Sequence, residues 1–320
     1  MTRAVGKNGV VEAPKIKKRG FVENIKKYKY TYLLILPALL YIIIFGYTPL
    51  TGIILAFKDY NIFDGIFGSR WVGFDNFVTI FKHKEMVLGI KNTLVYGCVI
   101  LFGGFPFPII LALLFNEIRN MRFKKFAQTV IYMPHFLSWI SVIGMMYALF
   151  AIDGSVNQIL RTIFGEGYEA KNILLDSNYF LPVIFVSHLW KSCGWSSIIF
   201  LAAIAGIDPS LYEAATIDGC GKFKQVIYIT LPSIATTAII VLVMSLGSMV
   251  NVNFEQVYGL QNAYTQADTE VIGTLIYRLG IQDGRYSLST AFGIAQGIVS
   301  LIIMLTANAF SKKIANISIW

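Results

Sequence analysis

The chain has 320 residues, of which 56% are apolar and 14% charged, with a mean hydropathy of +0.63. Soluble domains are roughly 45–50% apolar, so the composition excludes an ordinary soluble protein and indicates a membrane protein. Three scattered cysteines exclude a disulfide scaffold, three isolated histidines form no zinc motif, and the net charge of +9 is better explained by membrane orientation than by nucleic-acid binding.

Six uncharged stretches are long enough to cross a bilayer as helices, which requires about 20 apolar residues. In chain order they cover residues 30–57, 92–116, 126–152, 177–207, 225–254 and 286–311, and Lys191 alone interrupts the fourth. The runs are continuous and do not alternate, which disfavours a β-barrel. The sequence therefore predicts an all-α membrane protein with six transmembrane helices.

The connections between these stretches differ in charge. One set, which includes both termini, holds 17 basic and 6 acidic residues, whereas the other holds 8 basic and 12 acidic ones. Because basic residues concentrate on the cytoplasmic side, both termini are predicted to be cytoplasmic. Residues 1–29 are predicted to form a basic cytoplasmic tail, either solvated or resting on anionic lipid, and residues 30–320 the transmembrane domain. Residues 269–280, between the last two spans, have the apolar spacing of a short external helix.

The cytoplasmic connection between the fourth and fifth spans has an internal logic of its own. Asp208 and Pro209 are a helix-start signal, an N-cap carboxylate followed by a proline in the first turn. Good helix formers occupy 210–217, and the glycines of 218–221 allow a left-handed turn. A second helical piece runs over 222–232 and leads into the fifth span. A short exposed helix of this kind is suited to docking into a groove of a partner.

The same segment carries a known spacing. It reads Glu213-Ala214-Ala215, then Gly219 after three residues, Ile229 after nine more, and Leu231-Pro232 after one. This resembles the EAA loop of the permease subunits of bacterial ABC importers, and the surrounding residues look like the maltose-type carbohydrate branch, most like permeases for oligosaccharides or polysaccharide fragments. The resemblance implies a type I ABC importer permease in the bacterial cytoplasmic membrane.

In that family the EAA loop forms a coupling helix seated in a cleft of a cytosolic ATPase. The resemblance implies that Glu213 makes the charged contact, that Ala214 and Ala215 keep the helix slim, and that Gly219 makes the turn. The full set expected to couple to the ATPase is Tyr212, Glu213, Ala214, Ala215, Asp218, Gly219, Leu231 and Pro232.

The resemblance also implies the partners. These are a second permease subunit, expected to be a different chain, two copies of the ATPase, which bind ATP and Mg²⁺, an extracytoplasmic sugar-binding protein, and membrane lipids. No cofactor, metal or nucleic acid is expected on this chain, nor any catalytic residue. The Gly219–Lys222 run resembles the end of a P-loop, but Thr216 and Phe223 stand where that motif requires Gly and Ser or Thr.

An alternative function is an ion-gradient-driven secondary sugar transporter. Such proteins carry intramembrane acids or broken-helix ion sites, and the six stretches contain no Asp or Glu. A membrane-embedded enzyme is disfavoured because no nucleophile and base converge in the sequence. Proton-coupled uptake by this chain alone would support the transporter, whereas co-elution with an ATPase would support the permease.

Polar and aromatic residues within the fourth and fifth spans are candidates for the sugar path, because sugars need hydrogen-bonding groups and flat aromatic faces. The candidates are His188, Lys191, Ser192, Trp195, Ser245, Ser248, Asn251 and Asn253. Lys191 would suit a uronate, such as a piece of alginate or pectin, whereas the acidic external connections favour a neutral sugar. The sequence leaves this choice open.

Overall fold

The computed structural model describes residues 27–165 and 167–315, and they are predominantly helical. The α-helices are α1 Lys29–Tyr41, α2 Gly65–Gly68, α3 Asp75–Lys82, α4 Lys84–Cys98, α5 Pro106–Glu117, α6 Met121–Tyr132, α7 Trp139–Phe150, α8 Ser155–Phe164, α9 Ser177–Ala205, α10 Pro209–Ile217, α11 Lys222–Gln225, α12 Leu231–Ser248, α13 Phe254–Leu260, α14 Gln266–Thr269, α15 Ile272–Tyr277 and α16 Tyr286–Ala315.

Shorter segments join several of these helices. The 3-10 segments are Thr48–Phe57, Met133–Phe136 and Ile173–Leu175, and the π-helical segments are Ile42–Tyr47, Val99–Gly103, Val226–Thr230 and Arg278–Gln282. Two strands, β1 Lys58–Asp59 and β2 Arg70–Trp71, pair antiparallel with Lys58 opposite Trp71.

Each of the six predicted spans overlaps a long apolar helical segment among the described residues. Five of these segments are long and apolar enough to cross a membrane as they stand, and they are Lys29–Phe57, Lys84–Glu117, Trp139–Phe164, Lys222–Ser248 and Tyr286–Lys313. The fourth predicted span is α9, which with α10 forms a pair bent by 69°. The bend lies between Ala205 and Pro209, where the sequence predicts the chain to leave the membrane.

The third predicted span, 126–152, is wrong as a single helix. The chain breaks after α6 because Pro134 lacks an N–H donor and its ring obstructs the preceding turn. Helix α7 then starts afresh, with the Ser138 hydroxyl accepting the Ser141 N–H at 3.2 Å as an N-cap. The apolar segment that follows this break is Trp139–Phe164, which extends into the predicted external connection.

The chain divides into two compact units, Met1–Gly52 and Ile53–Trp320. In the first, α1 and the following π-helical segment contain no buried residue, and Pro37 lies inside α1. The predicted basic tail lies outside the described residues, apart from 27–29. The second unit contains the remaining helices and the hairpin.

The described residues of the second unit form three apolar clusters. One lies around Trp139, Ile184 and Val257, the second around Ile80, Leu275 and Phe292, and the third around Ala112, Phe200, Ile204 and Ile234. Glycines let the helices approach closely, since a Cβ at Gly194 would collide with the Ile131 carbonyl and one at Gly97 with the Met249 carbonyl. This close approach is typical of membrane helices.

The predicted external helix over 269–280 is present as α15, continued by the π-helical segment after it. Its apolar residues Ile272, Leu275 and Leu279 are buried in the second cluster. Arg278 Nη2 lies 3.0 Å from Glu270 Oε2, and burial raises the pKa of the Glu270 carboxyl above its usual range. The segment is therefore packed against the membrane helices.

Candidate functional site

The cytoplasmic elbow, residues 207–232, starts as the sequence predicts. The Asp208 carboxylate accepts the Ser210 N–H at 2.9 Å, and Pro209 is the first residue of α10. This hydrogen bond lowers the pKa of the Asp208 carboxyl, because the bond favours the ionised form. The N-cap is therefore a carboxylate at neutral pH.

The elbow turns sharply after α10. Gly219 has a φ of +74°, a left-handed conformation that side chains disfavour. The Cys220 N–H donates to the Ala215 carbonyl at 2.8 Å, and the Gly219 N–H donates to the Thr216 carbonyl at 3.1 Å. This is a Schellman motif, so the turn predicted at Gly219 is set by backbone hydrogen bonds.

Two buried polar side chains then tie α10 to the base of the fifth span. The Gln225 amide donates to Thr216 Oγ1 at 3.0 Å and to the Cys220 carbonyl at 3.1 Å, and Gln225 is 3% exposed. The Tyr212 hydroxyl lies 2.9 Å from the buried Thr230 hydroxyl. Sequence reasoning missed Gln225 and Thr230, although polar side chains at the start of an apolar span were a signal.

The opposite side of the elbow faces outward. Of the residues expected to couple, Tyr212 and Ala215 are half-buried, whereas the exposed ones are Glu213, Ala214, Asp218, Gly219, Leu231 and Pro232. Two apolar neighbours are exposed as well, Leu211 by 49% and Ile217 by 86%. A carboxylate beside small and apolar groups is a surface suited to a partner's groove, and its role in coupling stays a prediction.

Replacing Gln225 with Ala should loosen the elbow. Two buried hydrogen bonds are lost, and a weakening of about 1 to 2 kcal/mol should accelerate backbone amide exchange at Gly219 and Cys220 by about five- to thirtyfold. Hydrogen exchange followed by mass spectrometry measures this. The neighbouring exposed Lys224, replaced with Ala, should leave the exchange unchanged, and equal exchange in both variants would contradict the tether.

A cavity of about 350 Å³ lies between the second, fourth and fifth spans. Six of the eight predicted path residues line it, namely His188, Ser192, Ser245, Ser248, Asn251 and Asn253. The second span contributes a wall that the sequence did not indicate, which includes Gly97, Gly104 and Phe105. The structure thus brings most of the path candidates together, and their contact with sugar stays a prediction.

No Lys, Arg, Asp or Glu is among the described residues that line the cavity. The Asn251 side-chain oxygen accepts from the Gln296 amide at 2.9 Å, and the Ser248 hydroxyl donates to the Ser245 carbonyl at 3.0 Å. His188 Nδ1 is buried and has no hydrogen-bond partner among the described residues. A buried polar atom of this kind is able to bind a ligand hydroxyl.

Lys191 does not line the cavity. It is 8% exposed, and its ammonium donates to the carbonyls of His135 at 2.8 Å, of Pro134 at 3.4 Å and of Leu137. It also lies 5.5 Å from the ring centroid of Trp139. The ammonium therefore donates to three carbonyls at the break in the third predicted span, of which Pro134 also accepts the Leu137 N–H, and it does not serve as the expected counter-charge for a uronate.

Trp195 also lies outside the cavity lining. Its ring is 46% exposed and stacks on the His135 ring at 4.6 Å with an interplanar angle of 2°, while Phe136 meets it edge-on at 5.7 Å. Because His135 lies in the turn that Lys191 holds, the lysine also positions this flat aromatic pair.

Known proteins share this architecture. Residues 104–316 match the family described as the inner membrane component of binding-protein-dependent transport systems. The polygalacturonan/rhamnogalacturonan transport system permease protein YteP of Bacillus subtilis (strain 168) is 42% identical over 93% of this chain and 92% of its own.

Protein LplB of the same organism is 41% identical over 90% of each chain. The crystal structure of a bacterial ABC transporter involved in the import of the acidic polysaccharide alginate is also similar. It aligns with a TM-score of 0.84 and 38% identity over 92% of this chain and 98% of that one.

These likenesses confirm the type I permease fold and the location in the bacterial cytoplasmic membrane, and they favour an ABC importer over the secondary transporter. The chain belongs to the family of inner-membrane permease components of binding-protein-dependent transport systems.

Proposed function

We propose that this chain forms half of the translocation path of an ATP-driven importer for uronate-containing oligosaccharides. The observation that carries the proposal is the tethered elbow with its exposed EAA residues, in a chain that is 42% identical to a polygalacturonan/rhamnogalacturonan permease. The similar solved transporter imports alginate, another acidic polysaccharide, which supports the uronate class over neutral sugars.

The elbow is the contact with the ATPase. Glu213 supplies a carboxylate for a basic group in the ATPase cleft, and the small side chains of Ala214 and Ala215 let α10 enter it. ATP and Mg²⁺ are bound and hydrolysed by two copies of that ATPase, so this chain contributes motion and no nucleotide chemistry. The Schellman turn and the Gln225 tether support this role because they make the elbow resist deformation.

The cavity is one part of the sugar path. His188, Ser192 and Asn251 offer neutral hydrogen-bonding groups that suit sugar hydroxyls and also the oxygens of a carboxylate. Trp195, with its exposed face beside His135, offers a flat surface for a sugar ring. Since Lys191 is bonded to carbonyls, uronate recognition in this cavity depends on its histidine, serine and asparagine side chains.

Three further partners complete the proposal. A second permease subunit, a different chain, forms the other half of the path, and an extracytoplasmic binding protein delivers the sugar. A similar solved structure is an alginate ABC transporter in complex with an alginate pentasaccharide-bound periplasmic protein, 37% identical over 93% of this chain and 99% of that one. That complex supports delivery by such a protein here.

The substrate class is tested with the assembled complex in lipid nanodiscs together with its binding protein. Oligosaccharides of polygalacturonan, rhamnogalacturonan and alginate should stimulate ATP hydrolysis, whereas neutral malto-oligosaccharides of equal length should not. Equal stimulation by the neutral set would contradict the uronate assignment, and no stimulation by any sugar, with normal assembly, would contradict oligosaccharide import.

A further inference from the structure

The external hairpin, residues 58–71, contains two phenylalanines whose side chains are almost fully exposed. Phe63 is 93% and Phe67 94% exposed, and the neighbouring Ile62 is 66% exposed. Exposed apolar side chains that lie next to one another commonly mark a surface that binds a partner or a membrane. The connection thus places a bulky apolar surface outside the packed core.

The backbone beneath these rings is held firmly. Lys58 is 8% exposed, and its ammonium donates to the carbonyls of Ile66 at 2.6 Å and Phe67 at 3.2 Å. The buried Ser69 hydroxyl donates to the Gly65 carbonyl at 2.6 Å. The phenylalanines are therefore presented by an ordered loop, and little conformational entropy is lost when they bind.

A contact with the last span sets the depth of the hairpin. The Tyr60 N–H donates to the Ser287 hydroxyl at 2.9 Å, and the Tyr60 and Tyr286 rings meet edge-on at 5.8 Å. Tyr286 is the first residue of α16, and Lys312 lies near its other end.

The length of α16 fixes where this contact lies in the bilayer. From Tyr286 to Lys312 the helix is about 39 Å long, whereas a bilayer is about 30 Å thick in its hydrocarbon core and about 40–45 Å with its headgroups. With Lys312 among the inner headgroups, Tyr286 and Tyr60 lie among the outer ones. The folded hairpin keeps both phenylalanines near Tyr60, since the Lys58 ammonium bonds the Phe67 carbonyl at 3.2 Å, so they lie at the same boundary.

We propose that Phe63 and Phe67 insert into the outer leaflet at the boundary between headgroups and acyl chains. Aromatic side chains are stabilised in this layer, where a water-soluble binding protein would have to displace lipid to reach them. The charged side chains of the hairpin are Lys58, Asp59, Asp64 and Arg70, which sum to zero. Zwitterionic lipid is therefore sufficient, and anionic headgroups add nothing.

The test uses the assembled transporter in phosphatidylcholine nanodiscs, with the native cysteines replaced by Ser. Phe63→Cys and Phe67→Cys are labelled with bimane, and quenching by a nitroxide on the phospholipid headgroup is measured. Glu169→Cys, at an exposed position in another external connection, is the matched control. Quenching at 63 and 67 should be several times stronger than at 169, and unchanged by the binding protein or by anionic lipid.

Quenching at 63 and 67 no stronger than at 169 would overturn the proposal. So would quenching that disappears when the binding protein is added, since that protein would then be the occupant. A label shielded from both the lipid nitroxide and aqueous iodide would identify the second permease instead and would also overturn it. If the cysteine-free protein fails to assemble, Phe63→Trp and Glu169→Trp with brominated lipids give the same comparison.

Discussion

Replacing Glu213 with Lys should leave the protein inserted and assembled with its permease partner but abolish sugar-stimulated ATP hydrolysis and uptake. Glu213 is exposed on α10, next to residues small enough to enter a groove. Losing one member of a close charge pair at an interface costs about 2 to 5 kcal/mol, which is a loss of affinity of about 30-fold or more. Copurification of the ATPase and hydrolysis in nanodiscs measure both effects.

A charge reversal elsewhere on the cytoplasmic side is the matched control. Glu117, exposed at the end of α5, lies outside the elbow, and Glu117→Lys should transport normally. Normal uptake and ATPase binding by Glu213→Lys would count against the elbow as the coupling element. A loss of both in Glu117→Lys would point to a general effect of cytoplasmic charge.

Replacing Lys191 with Met should destabilise the protein markedly, and the loss should arise at the break between α6 and α7. The carbonyls of His135 and Leu137 would lose the ammonium donor, whereas the Pro134 carbonyl would keep its hydrogen bond from the Leu137 N–H at 3.2 Å. Hydrogen bonds to a charged group contribute about 1.5 to 3 kcal/mol, and relief from burying the ammonium offsets part of this. The thermal unfolding midpoint in detergent should fall by several degrees.

Two further variants separate the hydrogen bonds from general effects of charge. Lys191→Arg keeps a donor group and should recover part of the lost stability. Lys171→Met, at an exposed position, should leave the midpoint unchanged. If Met and Arg at 191 behave alike, the carbonyl contacts do not stabilise the break. The stacked His135–Trp195 pair should also move in Lys191→Met, so the KM for sugar should rise more than the ATPase maximum falls.

The elbow was predictable because its signals are local. An N-cap aspartate, a proline in the first turn and a glycine at the left-handed position each act within one turn of helix, and the structure has all three where the sequence places them. The roles of Gln225 and Thr230 were not predictable, because these side chains contact α10 only after the chain has turned back at Gly219.

The sugar-path candidates show how much helical spacing can predict about the contacts of a residue. Helical spacing predicts that His188, Ser192 and Trp195 share one face of α9 and line the path. The cavity lining includes His188 and Ser192 but not Trp195, so the prediction is wrong for Trp195. Spacing along α9 contains no information on the adjacent helix, so it could not show that the break at Pro134 brings three carbonyls to Lys191. The sequence shows Pro134, but only the packed structure shows that the carbonyls beside it accept hydrogen bonds from Lys191.

The tether at Gln225 has a mechanical consequence. It joins α10 to α11, which continues through the π-helical segment Val226–Thr230 into α12. Helix α12 runs from Leu231 to Ser248, about 27 Å at 1.5 Å per residue. A tilt of about 10° at the foot would displace the far end by about 5 Å over that length, and the far end carries Ser245 and Ser248. The fifth span can thus serve as a lever arm, because a small displacement of the elbow at the inner surface would widen or narrow the cavity.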